Sequence, residues 1–231
     1  MFSRYLSLTV LSLMFIGETP QVYAGDVVYS PPDVGAPSRR VGAGVRSGKD
    51  IGKATPFIGA LIPKTTGLTL QAQPTLYWTS NLSVKRPLEI VLQHAKPTST
   101  KERLPLLSLT LKTVDAGLHA IDLKAHNVRL KPDVLYQWSV TAIMSDMPSG
   151  DAFASGYILY QPMSAVLSKK LADTPPSEQA NFYANNGIWY DAVSTLSQQI
   201  AQQPNNQALK QNRIKLMQQV VLPDEVIDML K

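Results

Sequence analysis

The side chains best suited to chemistry in this sequence are basic residues in its N-terminal quarter. Arg39, Arg40, Arg46 and Lys49 stand among glycines and are offset locally by Asp50 alone. Planar guanidinium groups bind phosphate or carboxylate oxygens in pairs, and glycines leave the backbone amides open to the same anions. These four basic residues are therefore candidate contacts for an anionic polymer. The composition is equally typical of a solvated segment without fixed structure, so the sequence leaves both interpretations open.

A second candidate surface lies at a predicted turn between two helices, within residues 183–192. Asn185 and Tyr190 flank this turn, and we predict that they contact a partner. Asn186 and Asp191 stand beside them, where we expect helix capping instead. The candidate binding residues of this region are therefore Asn185 and Tyr190.

Few other residues suggest catalysis or metal binding. The three histidines, His94, His119 and His126, have no second histidine or carboxylate at metal-ligand spacing on one element. His119 and Asp122 are three residues apart, which in a strand places them on opposite faces. The chain has no cysteine, which excludes thiol catalysis, cysteine metal sites and disulfides. We therefore predict no catalytic residue, no metal and no cofactor.

Asp146 and Asp151 form the one carboxylate pair that resembles a glycoside-hydrolysing arrangement. They flank a Met-Pro-Ser-Gly stretch that is typical of a turn. Because such pairs act only when a rigid cleft positions them, we interpret these two residues as part of a solvated turn.

The first 24 residues have the pattern of a signal peptide. Arg4 precedes an apolar run over residues 6–16, and Val22 and Ala24 stand at the third-last and last positions before a predicted cleavage site. The run is too short to span a bilayer, which takes roughly 20 apolar residues. We expect cleavage after Ala24 and a periplasmic or secreted protein without a transmembrane segment. The absence of cysteine also excludes a lipid anchor at this site.

The elements that must position these side chains follow from the hydrophobic period. Residues 25–66 are rich in Gly, Pro and basic residues and predict an extended arm. From residue 67 to residue 162 apolar and polar residues alternate, which predicts half-buried strands. The predicted strands cover residues 68–72, 75–79, 88–93, 107–111, 118–123, 136–142 and 153–160.

Seven short strands at this spacing predict an antiparallel β-sandwich. The strand that contains Trp78 resembles the early core strand of immunoglobulin and fibronectin type III domains. Pro132, followed by the strand that begins at Tyr136, resembles the tyrosine corner of the same folds. We expect the Tyr136 hydroxyl to bond to the backbone of residues 130–133.

Residues 163–231 change to a helical period. Helices are predicted at 163–172, 174–186, 189–203 and 207–221, with Thr174 capping the second and Gly187 ending it. The spacing of Ala180, Tyr183 and Trp189 matches a tetratricopeptide-like helical hairpin. Since a single repeat cannot bury both of its faces, this hairpin must rest on the sandwich, on neighbouring helices or on a partner.

Several stretches together resemble a bacterial family known as domain of unknown function 928. They are GAPSRRVGAGVR at 35–46, LIP at 61–63 leading to GLT at 67–69, YQW at 136–138, GYI at 156–158 and YANNGIWYDA at 183–192. The resemblance implies secretion and the layout of sandwich plus helices, and it implies no particular activity. Many members carry a cysteine after the Tyr136 strand, where this chain has residues 142–146 without one.

These features lead to an expectation of an exported, non-enzymatic binding or adaptor protein whose partner is an envelope protein. The first alternative is an envelope polyanion- or glycan-binding module that uses the basic arm, and the second is an envelope hydrolase. Nothing in the sequence indicates a nucleic-acid partner.

Overall fold

The structure of the protein is a computed structural model that describes residues 27–32, 57–81, 83–143, 152–220 and 224–230, without the side chain of Glu225. Apart from one 3-10 turn at Lys101–Arg103, the regular elements of the described chain are strands up to Tyr160 and helices beyond it. This change of structure falls next to Pro162, where the hydrophobic period of the sequence changes.

Eight strands form in the described residues, and seven of them lie where the alternation predicted strands. The eighth is a short edge strand in the segment predicted to be an arm. The strands are β1 (Ile58–Ala60), β2 (Gly67–Thr69), β3 (Thr75–Ser80), β4 (Leu88–His94), β5 (Leu107–Leu111), β6 (Gly117–Asp122), β7 (Leu135–Ala142) and β8 (Ala152–Tyr160).

The strands form two sheets, one of three strands in the order β1-β3-β6 and one of five in the order β2-β8-β7-β4-β5. All the pairs are antiparallel except β2 with β8, which run parallel with Gly67 opposite Ile158. The prediction of a wholly antiparallel arrangement is therefore wrong at this pair, and the five-stranded sheet is mixed. Period-two alternation specifies which face a side chain occupies, and it carries no information about strand direction.

The predicted bond at the Tyr136 corner is confirmed. The backbone N–H of Lys131 donates to the hydroxyl oxygen of Tyr136 over 3.1 Å, while the Tyr136 ring is fully buried at the start of β7. Trp78 in β3 is buried as well, as its strand pattern predicted.

Both described ends of the segment 25–66 belong to the folded core, in contrast to the predicted arm. Val27 and Tyr29 are buried, and β1 pairs with β3. The side-chain oxygen of Gln219 accepts from the Tyr29 N–H over 2.7 Å, and its amide nitrogen donates to the Val27 carbonyl over 2.7 Å. Apolar runs this short give no periodic signal, which explains why the sequence did not separate them from the glycine-rich stretch between them.

Five helices form in the described residues after β8. They are α1 (Ala165–Ala172), α2 (Gln179–Asn185), α3 (Trp189–Gln202), α4 (Gln207–Gln218) and α5 (Asp224–Asp228). The first four correspond to the predicted helices. Among the described residues, none of the helices combines the length and the apolar character needed to cross a membrane.

Local hydrogen bonds determine where the helices begin and end. Ser164 caps α1 by accepting from the N–H of Leu167, and Asn206 caps α4 in the same way. Thr174 does not cap α2 as predicted: its hydroxyl donates to the Lys170 carbonyl over 2.7 Å at the end of α1. The chain then makes a short 3-10 turn, and α2 begins at Gln179.

One continuous hydrophobic core joins the sheets to the helices. It contains all three tryptophans, Trp78, Trp138 and Trp189, which lie in β3, β7 and α3. The indole N–H of Trp189 donates to the Leu61 carbonyl over 2.9 Å. The helical hairpin therefore rests on the sheets and on its neighbouring helices, two of the three supports that the sequence left open.

Candidate functional site

A cavity of about 340 Å³ lies where β2, the β2–β3 loop and the start of β3 meet α2 and α3. We call it the Asp191 cavity, after the carboxylate among its lining residues. The lining comprises Thr69, Gln71, Gln73, Pro74, Thr75, Gln179, Tyr183, Tyr190, Asp191, Ser194, Thr195 and Gln198.

The lining is polar and carries a single formal charge. Four glutamines supply amides, and threonine, serine and tyrosine residues supply hydroxyls. Asp191 is the one carboxylate among these residues, and none of them is basic. The exposed guanidinium of Arg129 donates to Oε1 of Gln73 over 3.0 Å, in a position where water screens its charge. The cavity can therefore donate and accept several hydrogen bonds around one negative group.

Asp191 lies in the first turn of α3 and is only 6% exposed. Its Oδ2 accepts from the backbone N–H of Leu70 over 3.1 Å, and the side chains of Thr69 and Gln71 also donate to the carboxylate. The carboxylate therefore joins the helical segment to the end of β2, across 121 positions of sequence.

The surroundings of Asp191 disfavour its charged form. Burial raises the pKa of Asp191 to about 6, although the hydrogen bonds from Thr69, Leu70 and Gln71 act in the opposite direction. Desolvation outweighs these donors because none of them carries a positive charge. Asp191 is therefore largely ionised at neutral pH and becomes protonated in mildly acidic solution.

Tyr190 is buried beside the carboxylate, with 2% of its surface exposed. Its hydroxyl accepts from Trp138 Nε1 over 2.8 Å and donates to the Tyr157 carbonyl over 3.1 Å. A Cβ on Gly67 would lie 2.5 Å from Tyr190 Cε2, so the glycine makes room for the ring against β2. Tyr190 is therefore not on the surface of the turn, because α3 begins at Trp189 and directs the ring inward. Its role as a binding residue stays a prediction.

Tyr183 on α2 forms the opposite part of the cavity lining. Burial raises the pKa of its hydroxyl, and the negative charge of Asp191 raises that pKa further. The phenol and the carboxylate therefore lie within electrostatic reach of each other. Tyr183 is largely buried, with 8% of its surface exposed, and it belongs to the cavity lining.

At the turn between α2 and α3, one of the remaining residues is exposed and the next two end α2. Asn185 is exposed, as a partner contact requires. Asn186 donates from its side chain to the Phe182 carbonyl over 2.8 Å at the end of α2, which agrees with the predicted capping role. Gly187 follows with φ of 74°, a conformation that favours glycine.

The remaining residues singled out from the sequence either lie outside the described residues or make contacts elsewhere in the fold. Arg39, Arg40, Arg46 and Lys49 lie outside the described residues, as do Asp146 and Asp151. His119 stacks on Trp78 with ring centroids 4.3 Å apart, and His94 lies against Tyr136 at 4.9 Å. Within the described ranges, no three His, Cys, Asp or Glu side chains are grouped to hold a metal.

Sequence reasoning missed the cavity, although α3 carries a signal for it. Asp191, Ser194, Thr195 and Gln198 are spaced at three, four and seven residues, which places them on one face of the helix. The apolar face of the same helix supplies the core residues Ala192, Val193, Leu196 and Ile200. The missing information was the position of the β2–β3 loop, which covers the polar face and turns it into a cavity lining.

The fold and the site define a β-rich protein with a helical C-terminal segment and a polar cavity between the two. This chain belongs to the family described as Domain of Unknown Function (DUF928), whose model matches residues 41–228. The match confirms the resemblance noted from the sequence and includes every residue that lines the Asp191 cavity. No curated protein matches the chain.

Proposed function

We propose that this protein is an exported, non-enzymatic binding protein of the cell envelope that takes a small polar ligand in the Asp191 cavity. The observation that carries the proposal is a cavity of about 340 Å³ whose amides and hydroxyls surround one buried carboxylate. This volume is within the range of small-molecule sites, roughly 300–1,000 Å³.

The lining supports binding over hydrolysis, the second alternative from the sequence. Glycoside hydrolysis uses two carboxylates that flank the scissile bond. Among the described lining residues only Asp191 has a carboxyl group, and three hydrogen-bond donors already orient it. An oriented acceptor of this kind favours recognition of a ligand.

We also propose the finer architecture that the sequence suggested, an immunoglobulin- or fibronectin III-like sandwich followed by a tetratricopeptide-like hairpin. The Tyr136 corner bond and the buried Trp78 support the first assignment. The burial of Tyr183, Trp189 and Ala192 at the contact of α2 with α3 supports the second.

Export remains a proposal from the pattern of residues 1–24. We expect the protein recovered from an osmotic-shock fraction to begin at Gly25, and its intact mass measures this directly. A recovered species that still carried residues 1–24 would contradict cleavage after Ala24.

An adaptor role is the second candidate function, and α1 favours it. Val166 is 68% exposed, and no residue of α1 is fully buried. Together with the exposed Asn185 at the α2–α3 turn, this helix offers an envelope protein a surface on the helical segment. Binding of an anionic envelope polymer by Arg39, Arg40, Arg46 and Lys49 is supported by sequence alone.

The test compares two identical substitutions in helices, one in the cavity and one outside it. Ser194→Phe places a ring in the cavity, and Ser168→Phe places the same ring on the exposed surface of α1. Each protein is incubated with the small-molecule fraction of envelope extract, and native mass spectrometry detects what it retains. We expect the wild type and Ser168→Phe to retain a small molecule that Ser194→Phe does not.

Retention of the same molecule by Ser194→Phe would overturn the cavity proposal. Recovery of a protein partner that Ser168→Phe loses, without any retained small molecule, would favour the adaptor role.

A further inference from the structure

The Asp191 carboxylate is a buried negative charge, and none of the residues that the structure describes places a cation beside it. Thr69, Leu70 and Gln71 donate to it from β2 and the following loop, and Tyr183 faces it from α2. All of these groups are uncharged at neutral pH. The N-terminus of α3 adds only the partial positive charge of its backbone.

Buried charges in proteins are normally paired, because desolvation of a lone ion is expensive. Within the described part of the chain Asp191 departs from this rule, and it does so in the wall of an open cavity. A ligand that carries a positive charge would complete the pair.

We propose that the ligand of the Asp191 cavity carries an ammonium group that binds to Asp191. This inference rests on the proposed binding function and specifies its ligand class. The Tyr183 ring can add a cation–π contact at the same position, since it lies beside Asp191 in the lining. The other polar lining residues can hydrogen-bond to hydroxyl or amide groups in the rest of the ligand. An amino sugar, or the amine end of an amino acid or peptide, has such groups.

Binding of such a cation depends on the ionised form of Asp191. Among the described lining residues, the other titratable side chains are the phenols of Tyr183 and Tyr190. Their pKa values are raised, so both phenols stay neutral below pH 8. With a pKa of about 6, Asp191 loses most of its charge between pH 7 and pH 5. Affinity for an ammonium ligand should fall about tenfold over this interval.

The test uses matched pairs of probes in isothermal titration of the purified protein at pH 7.5. One pair is glucosamine with glucose, and the other is ethanolamine with ethylene glycol. We expect the ammonium member of at least one pair to bind about tenfold more tightly than its neutral counterpart. A stronger effect in the sugar pair identifies an amino sugar, and an equal effect in both pairs identifies a simple amine.

Two kinds of variant connect the preference to the carboxylate. Asp191→Asn should abolish the preference for the ammonium member. Gln198 is exposed at the edge of the lining, so its substitution leaves the core intact. Gln198→Lys supplies a competing ammonium group and should weaken amine binding severalfold. Ser168→Lys adds the same charge on the exposed surface of α1, outside the lining, and should leave amine binding within about twofold.

Equal binding of the neutral probes, a preference that survives in Asp191→Asn, or equal effects of Gln198→Lys and Ser168→Lys would overturn the ammonium inference. Failure of all four probes to bind at millimolar concentration would overturn it as well. The mass spectrometry comparison of Ser194→Phe with Ser168→Phe decides the proposed function separately.

Discussion

Two neighbouring groups on α3 are buried in different ways. The Tyr190 hydroxyl lies between Trp138 Nε1 and the Tyr157 carbonyl. This neutral hydroxyl therefore accepts one hydrogen bond and donates another. The carboxylate of Asp191, the next residue, has several donors and still keeps a raised pKa. A neutral group buried with its partners stabilises the fold, whereas a charged group surrounded by neutral donors remains costly to bury.

The number of hydrogen bonds therefore does not decide whether burying a group stabilises the fold. The charge of the group and of its neighbours does. Tyr190 is a structural link between the hairpin and β7–β8. Asp191 links the hairpin to β2 as well, but it does so at a cost in stability that an apolar residue would avoid. This cost is the reason to assign a ligand to Asp191 and none to Tyr190.

The largest effect should come from the pH dependence of Asp191. Its pKa is raised from the ordinary value of 3.8 to about 6, so folding favours the protonated acid. The associated stability is fully present below pH 4 and is lost as the pH rises through 6. At about 1.4 kcal/mol per pH unit, the wild type should gain about 3 kcal/mol relative to Asp191→Asn between pH 7.5 and pH 4.

Denaturant unfolding of both proteins across this pH range measures the difference. Other titratable groups are present in both proteins, so their contributions cancel in the difference between the two free energies of unfolding. One such group is Glu102, whose pKa is lowered chiefly by hydrogen bonds from Thr98. A difference that stays constant with pH would show that Asp191 is not desolvated, and the contrast with Tyr190 would disappear.

A smaller effect is expected for the hydroxyl of Tyr190. Tyr190→Phe leaves the Trp138 indole N–H and the Tyr157 carbonyl without this partner and should lower the free energy of unfolding by about 2 kcal/mol at any pH between 4 and 8. Tyr160→Phe, in a half-buried position at the end of β8, is the matched control and should change stability by less than about 0.5 kcal/mol. Equal midpoints for the two variants would argue against a structural link through Tyr190.

The smallest effect is expected at the Tyr136 corner. Tyr136→Phe removes the acceptor of the Lys131 N–H, and because Lys131 is exposed, water can replace it. The expected loss is about 0.5 to 1.5 kcal/mol in the free energy of unfolding. A denaturant midpoint indistinguishable from wild type would mean that the corner bond contributes nothing to stability.

The sequence predicted the positions of strands and helices that show a local hydrophobic period. It did not predict features that depend on residues far away in the chain. Alternation located seven strands, and the helical period located four helices, because each pattern repeats several times within its element. The direction of β2 beside β8 depends on a chain crossing between sheets, and three-residue β1 is too short to produce a pattern.

The candidate site shows the same limit. Helix capping was predicted for Asp191, but no side chain caps the start of α3, and the carboxylate accepts from Leu70 instead, far away in sequence. Tyr190 lies beside the predicted turn, which suggested exposure. Its burial depends on the space that Gly67 leaves for its ring.

The contact of Gln219 with Val27 and Tyr29 has a consequence for the order in which the protein assembles. A chain is synthesised from its N-terminus, so Tyr29 exists long before Gln219, 190 positions later, can accept its N–H. Until then Val27 and Tyr29 lack this contact with the end of α4, although Tyr29 also packs against Trp189 of α3. Closing so long a loop is a late and slow event. The first described residues of the protein are thus among the last to reach their native place.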